Sequence, residues 1–145
     1  MNNGFNHTDE AIKQRGEVFT PTPLVKDMLR KLPSSLFKDR TKTFLDNSCG
    51  NGQFLFQVMY LKMLWMMKKE GARLFDAHKA ALKTIYGCEL DPKNAEECRL
   101  RLLKGSISRE LRAIVDHNII CADALDPKHE GWKDVGFYWE KPTAP

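Results

Sequence analysis

The chain has 145 residues, of which 42% are apolar and 29% charged, and its net charge is +4. That length and balance are ordinary for a soluble globular protein and suit one domain with a sizeable core. The richest apolar segment, Phe54 to Met67, contains Lys62 and stops at Lys68 and Lys69, so it does not read as a membrane span.

The opening MNNGFNHTDE lacks the basic-then-apolar pattern of an export signal. Cys49, Cys88, Cys98 and Cys121 are far apart and form no C-x-x-C pair. Reduced thiols in a cytoplasmic protein, with no metal site and no disulfide framework, are therefore expected. Basic residues gather at Lys26–Arg30–Lys31, Lys38–Arg40–Lys42 and Arg99–Arg101–Lys104–Arg109–Arg112. Such runs are commonly solvated helix faces, and they also permit an anionic partner such as DNA.

Residues 1–15 are polar and are expected to be a flexible segment, with one domain over 16–145. Thr22 and Pro23 read as the cap and first turn of a helix in which Leu24, Val25, Met28, Leu29 and Leu32 recur at helical spacing; Pro33-Ser34-Ser35 ends it. TKTFLDN (41–47) reads as a short buried strand. A core-facing helix follows from Gly52 to about Lys69, ended by Gly71. FDAHKAALKTI (75–85) predicts another, with Ala77, Ala80 and Ala81 on one side.

IYGCEL (85–90) predicts the second strand. DPKNAEECRLRLLKG (91–105) predicts a helix opening at Asp91-Pro92 and closing at Gly105. SRELRAIVDH (108–117) predicts a short helix, NIICAD (118–123) a third strand, and GFYWEK (136–141) a fourth. Strands alternating with helices imply an α/β fold: an open parallel sheet with helices on both faces, shortened after the third or fourth strand.

Each of the first three strands ends in an acid: Asp46, Glu89 and Asp123. In an open parallel sheet ligands bind outside the carboxyl ends of the strands, so these acids are expected side by side along one edge. The loop Cys49-Gly50-Asn51-Gly52 lets backbone approach a ligand, because Gly50 and Gly52 carry no Cβ. The helix behind it offers free N–H groups. Glu89 is placed to take both hydroxyls of a ribose, and Asp123 to accept from the amine of an adenine. Together they outline a pocket for an adenosine-containing cofactor. A Gly-x-Gly turn alone is more often only a tight turn, and Asp91 and Asp126 read as helix or turn caps. A dinucleotide site is disfavoured, since Gly50-Asn51-Gly52-Gln53-Phe54-Leu55 has leucine where a third glycine belongs.

Four ordered stretches, GEVFTPTPLVKDML, FLDNSCGNGQFL, YGCELDP and IICADAL, resemble the cofactor-binding half of the N6-adenine DNA methyltransferases of restriction-modification systems. The similarity runs from about Gly16 to Leu125. It implies a class I methyltransferase-like (Rossmann-like) fold and S-adenosyl-L-methionine as cofactor. It also implies that Phe19 and Thr20, with Pro21, pack against that cofactor. By the same resemblance, the loop from Asp46 through Ser48, Cys49 and Gly50 to Gly52 holds its methionine part. Glu89, with Leu90 beside it, binds the ribose, and Asp123 with Ala122 and Ala124 borders the adenine.

The family places Asn/Asp-Pro-Pro-Tyr/Phe at the end of the fourth strand, where it accepts hydrogen bonds from the amino group of a flipped base. Here the corresponding region reads GWKDVGFYWEKPTAP (131–145), with no Asn-Pro-Pro. Tyr138 or Trp139 would be the stacking residue, and Asp134 or Glu140 the acceptor, although edge-strand or surface positions suit all four. Two functions follow. One is an S-adenosylmethionine-dependent methyltransferase acting on the adenine amino group of DNA, with its catalytic residues unassigned. The other is a non-catalytic cofactor-binding or regulatory module that docks on a larger methyltransferase or restriction-modification complex. A third, weaker option is an enzyme consuming S-adenosylmethionine without a nucleic acid acceptor. An open sheet edge predicts self-association or a protein partner.

Overall fold

The computed structural model describes residues 22–125. In chain order they form helix α1 (Thr22–Arg30), a 3-10 turn (Ser34–Leu36), strand β1 (Phe44–Asp46), helices α2 (Gln53–Lys69) and α3 (Leu74–Leu82), strand β2 (Ile85–Glu89), helices α4 (Pro92–Leu103) and α5 (Arg109–Asn118), and strand β3 (Ile119–Cys121). Every element expected within these residues is present. The expected fourth strand, and with it Asp134, Tyr138, Trp139 and Glu140, lies outside the described residues.

Local chemistry explains the boundaries. The Asp91 carboxylate accepts from the Lys93 N–H at 2.8 Å, and Pro92 occupies the first turn of α4. Ser108 Oγ accepts from the Leu111 N–H at 3.2 Å and caps α5. At the far end of α4 the chain turns through Lys104 and Gly105, at φ 50° and 77°. The apolar stripe of α1 is wider than the face it buries. Val25 and Leu29 are buried, whereas Leu24 and Met28 stay 51% and 45% exposed.

The three strands run parallel in the order β1-β2-β3. Side chains alternate across the sheet. Phe44, Ile85 and Ile119 enter the main core with residues of all five helices, among them Val25, Leu55, Met59, Ala81, Leu102 and Val115. The opposite face carries Leu45, Tyr86, Cys88, Ile120 and Ala122. Among the expected helices on both faces, those described cover the first face; any covering of the second lies outside the described residues. No helix in the described residues is long and apolar enough to cross a membrane.

Among the described residues, Lys62 is the most deeply buried charged side chain. Lys62 of α2 is 1% exposed, and its ammonium donates to Lys42 O at 2.6 Å and Thr84 Oγ1 at 2.7 Å. The Phe44 ring lies 5.6 Å from the same nitrogen. Lys42 precedes β1 and Thr84 precedes β2, so this cation bridges the starts of neighbouring strands. Burial lowers its pKa to about 8.

Candidate functional site

The carboxyl ends of the strands are joined by the loop after β1. Asp46 closes the strand, and its carboxylate accepts from the Ser48 N–H at 3.0 Å, which starts the turn. Burial raises the Asp46 pKa, and the Ser48 bond only partly offsets that. The chain then crosses to β2. Cys49 N–H donates to Cys88 O at 3.0 Å and Gly52 N–H to Cys49 O at 2.9 Å. Gly50 N–H donates to Glu89 Oε1 at 3.1 Å. The glycine loop and the acid of the second strand are therefore one hydrogen-bonded unit.

Both loop glycines have positive φ, 54° at Gly50 and 88° at Gly52. Gly52 is constrained twice, because an added Cβ would lie 2.7 Å from Cys98 Sγ and 3.1 Å from Cys98 Cα of α4. Gly87 of β2 meets the loop from the other side: a Cβ there would lie 2.9 Å from Cys49 Sγ and 2.9 Å from Leu55 Cδ1. Cys49 and Cys98 are buried and their thiols interact; this contact, followed by burial, pushes the Cys49 pKa strongly upward, so the thiol stays protonated and inert. From behind, Arg101 Nε donates to Asn51 O at 2.9 Å, and Asn51 itself is buried.

Glu89 accepts twice from backbone, at Oε1 from Gly50 and at Oε2 from the Asp91 N–H at 2.8 Å. A carboxylate offers about four acceptor directions, so both oxygens retain capacity for a further donor. Asp123 lies past the end of β3 and accepts from the Leu125 N–H at 2.9 Å. It is held near β2 because Ala122 N–H donates to Glu89 O at 3.0 Å. Leu90 is 69% exposed beside Glu89, Ala122 is buried and Ala124 half-buried.

The acids share an edge but do not stand side by side. Asp46 is level with Gly87, two residues short of Glu89, and Glu89 is level with Cys121, two residues short of Asp123. Each step along the row therefore advances about 6–7 Å in the strand direction. The acids form a diagonal, with the loop folded into the step between the first two. Asp46, Ser48, Cys49, Gly50, Gly52, Glu89, Leu90, Asp123 and Ala124 all fall on this edge. Phe19 and Thr20 lie outside the described residues.

Sequence reasoning missed Gly87, Cys98 and Arg101, which shape and anchor the loop without facing a ligand. An isolated glycine within a strand signals close approach of another backbone, so Gly87 was open to that reading. Cys98 and Arg101 lie on α4 and carry no local signal.

Chemically, the edge presents carboxylate acceptors around a tight turn whose backbone is held by its own hydrogen bonds. That donor set suits a ligand with several hydroxyl or amine donors and a positive centre, and it repels phosphate. The described residues contain no cluster of three or more His, Cys, Asp or Glu arranged for a metal ion. A family model described as N-6 DNA Methylase matches residues 5–136. No curated protein and no solved structure matches the chain.

Proposed function

The chain belongs to the N-6 DNA methylase family, and on that premise we propose that its carboxyl edge binds S-adenosyl-L-methionine for methyl transfer to the adenine amino group of DNA. The carrying observation is the bond from Gly50 N–H to Glu89 Oε1, which makes the glycine loop and the second strand's acid a single preformed wall. S-adenosylmethionine bears hydroxyl and amine donors and a net positive charge, matching the donor set of this edge. When bound it would supply an electrophilic methyl group on a sulfonium.

The protein's own residues divide the work of holding it. Glu89, already oriented by two backbone N–H groups, accepts from the ribose hydroxyls. Asp46 and the loop through Ser48, Cys49, Gly50 and Gly52 take the methionine portion. Asp123, with Leu90 and Ala124 nearby, borders the base. Phe19 and Thr20 complete the pocket in this proposal by resemblance alone. DNA is the partner on this reading, and restriction-modification in the cytoplasm its setting.

A second reading is favoured by one observation: residues 1–145 contain no Asn-Pro-Pro or Asp-Pro-Pro sequence followed by an aromatic. In that case the protein binds the cofactor without transferring its methyl group, and acts as a regulatory module docked on a larger methyltransferase or as a self-associating unit. Incubation with methyl-labelled S-adenosylmethionine and adenine-containing duplex DNA separates the two. Label on adenine N6 supports the enzyme. Saturable cofactor binding with unlabelled DNA supports the module, and absence of binding contradicts both.

A further inference from the structure

A groove of about 290 Å³ opens between α1 and α2. Pro33 stops the chain after α1, and the 3-10 turn then returns Phe37 to the core, stacked on Phe44 at a centroid distance of 5.4 Å. Leu29 and Phe37 are buried and floor the groove, with Leu61 half-buried beside them. Leu32 and Tyr60 also line it and are 37% and 42% exposed. Lys26 and Arg30 of α1 stand at the same opening.

The charge around this groove is one-sided. Residues 53–69, which form one wall, contain no acid, and residues 22–38, which form the other, contain only Asp27. Asp27 is engaged by Arg30 at 2.8 Å. Lys26 makes no ion pair with a described residue, nor do Lys31 and Lys38 in the same wall. The next acids along the chain are turned elsewhere: Asp39 accepts from the Thr41 N–H at 2.8 Å, and Glu70 pairs with Arg40. An apolar recess bordered by uncompensated cations is complementary to an apolar side chain flanked by carboxylates.

We propose that this groove docks an acidic amphipathic helix from a partner protein. Its apolar residues seat on Leu29, Phe37 and Leu61, and its flanking carboxylates meet Lys26 and Arg30. A second copy of the chain is a poorer occupant. The exposed acids of its α4 and α5 are tied to its own cations, Glu96 and Asp116 to Arg112 and Glu110 to Lys79, and α3 carries a single acid, Asp76. A bilayer also fits less well, because the apolar contact is a recess with a buried floor rather than a protruding face. The inference concerns a surface apart from the cofactor edge and holds whether or not S-adenosylmethionine binds.

The test is fluorescence anisotropy of a labelled helical peptide titrated with the full chain, without cofactor. The peptide has about 15 residues, leucines at i, i+3, i+4 and i+7 and glutamates on its other face; a second peptide carries lysines in place of the glutamates. The glutamate peptide should bind at least about tenfold more tightly than the lysine peptide, and Leu32→Ser with Tyr60→Ser should weaken it by about tenfold. Lys26→Glu with Arg30→Glu, at exposed positions that leave the core intact, should invert the preference between the peptides. Lys68→Glu with Lys69→Glu, an equal charge change on α2 outside the groove, should leave it in place. No preference in wild type would overturn the proposal, and so would equal effects of the two charge reversals, which would reduce binding to net charge. Dimers in sedimentation that Leu32→Ser with Tyr60→Ser dissolves would make a second copy the occupant. Loss of binding to duplex DNA or to phosphatidylserine vesicles in the Lys26→Glu, Arg30→Glu variant, with peptide binding unchanged, would assign the surface to nucleic acid or lipid instead.

Discussion

The two edges of one small sheet are built by different means. At the carboxyl edge, acids and backbone N–H groups converge through a loop in which Gly52 has no room for a side chain. At the amino edge, cations arrive on helix ends and a connecting segment, and one of them is sealed in the core. The first edge is shaped by backbone, and Gly52 and Gly87 leave no space for a side chain. The second is shaped by side-chain charge on a permissive surface.

The sharpest way to break the carboxyl edge is Gly52→Ala. It places a side chain at φ 88° and drives a Cβ to 2.7 Å from Cys98 Sγ. Left-handed strain and overpacking together should cost about 2–4 kcal/mol in chemical denaturation. A stability equal to wild type would mean that the loop does not pack on α4 as described.

Lys62 tests the amino edge through pH. Its folded pKa is about 8, against 10.5 for the free side chain. The unfolded chain therefore holds the proton over a range where the folded protein has released it, and stability from this group rises with pH between those values. The gain is complete above the higher value and is lost as pH falls through the lower, with a size on the order of 3 kcal/mol. Cys49 and Cys88, whose thiols are pushed up by the Cys98 contact and by burial, act in the opposite sense at alkaline pH. The difference between wild type and Lys62→Met isolates the lysine: Lys62→Met should gain relative stability at neutral pH, and this advantage should shrink as pH rises. A pH-independent difference would contradict the buried charge.

Arg101→Leu should loosen the loop without touching the ligand, since it removes the bond to Asn51 O. A loss of about 1 kcal/mol in cofactor affinity is expected by titration, with the rescue variant Arg101→Lys recovering part of it. No change would mean that the loop holds its shape without α4. The smallest effect concerns the thiols. Cys121 is exposed while Cys49, Cys88 and Cys98 are buried. Alkylation of the native protein should therefore modify Cys121 first and leave cofactor affinity nearly unchanged. Early modification of Cys49 would show the loop to be open.

Much of the carboxyl edge was legible in the sequence because its signals are local. A strand ending in an acid, a glycine turn and an Asp-Pro cap each follow from neighbouring residues, and β1, β2 and α4 form where those signals stand. The diagonal of the acids was not legible, because register is decided by strand pairing rather than by strand sequence. Lys62 reads in sequence only as an interruption of an apolar helix; its burial depends on Lys42 O and Thr84 being brought beneath it from elsewhere in the chain. The amino-edge cations are scattered for the same reason. Arg40, Lys79 and Lys83 meet in one cavity only after α2 and α3 fold back along the sheet.

The central claim, that the glycine loop and Glu89 together hold S-adenosylmethionine, is tested most directly by calorimetric titration of wild type and Glu89→Ala with that cofactor. Removing a carboxylate that accepts from Gly50 and Asp91 and from the ligand should weaken binding by about 1–3 kcal/mol, while wild type binds saturably. Wild-type binding that Glu89→Ala leaves intact would place the cofactor elsewhere, and an absence of heat in wild type would contradict the account outright.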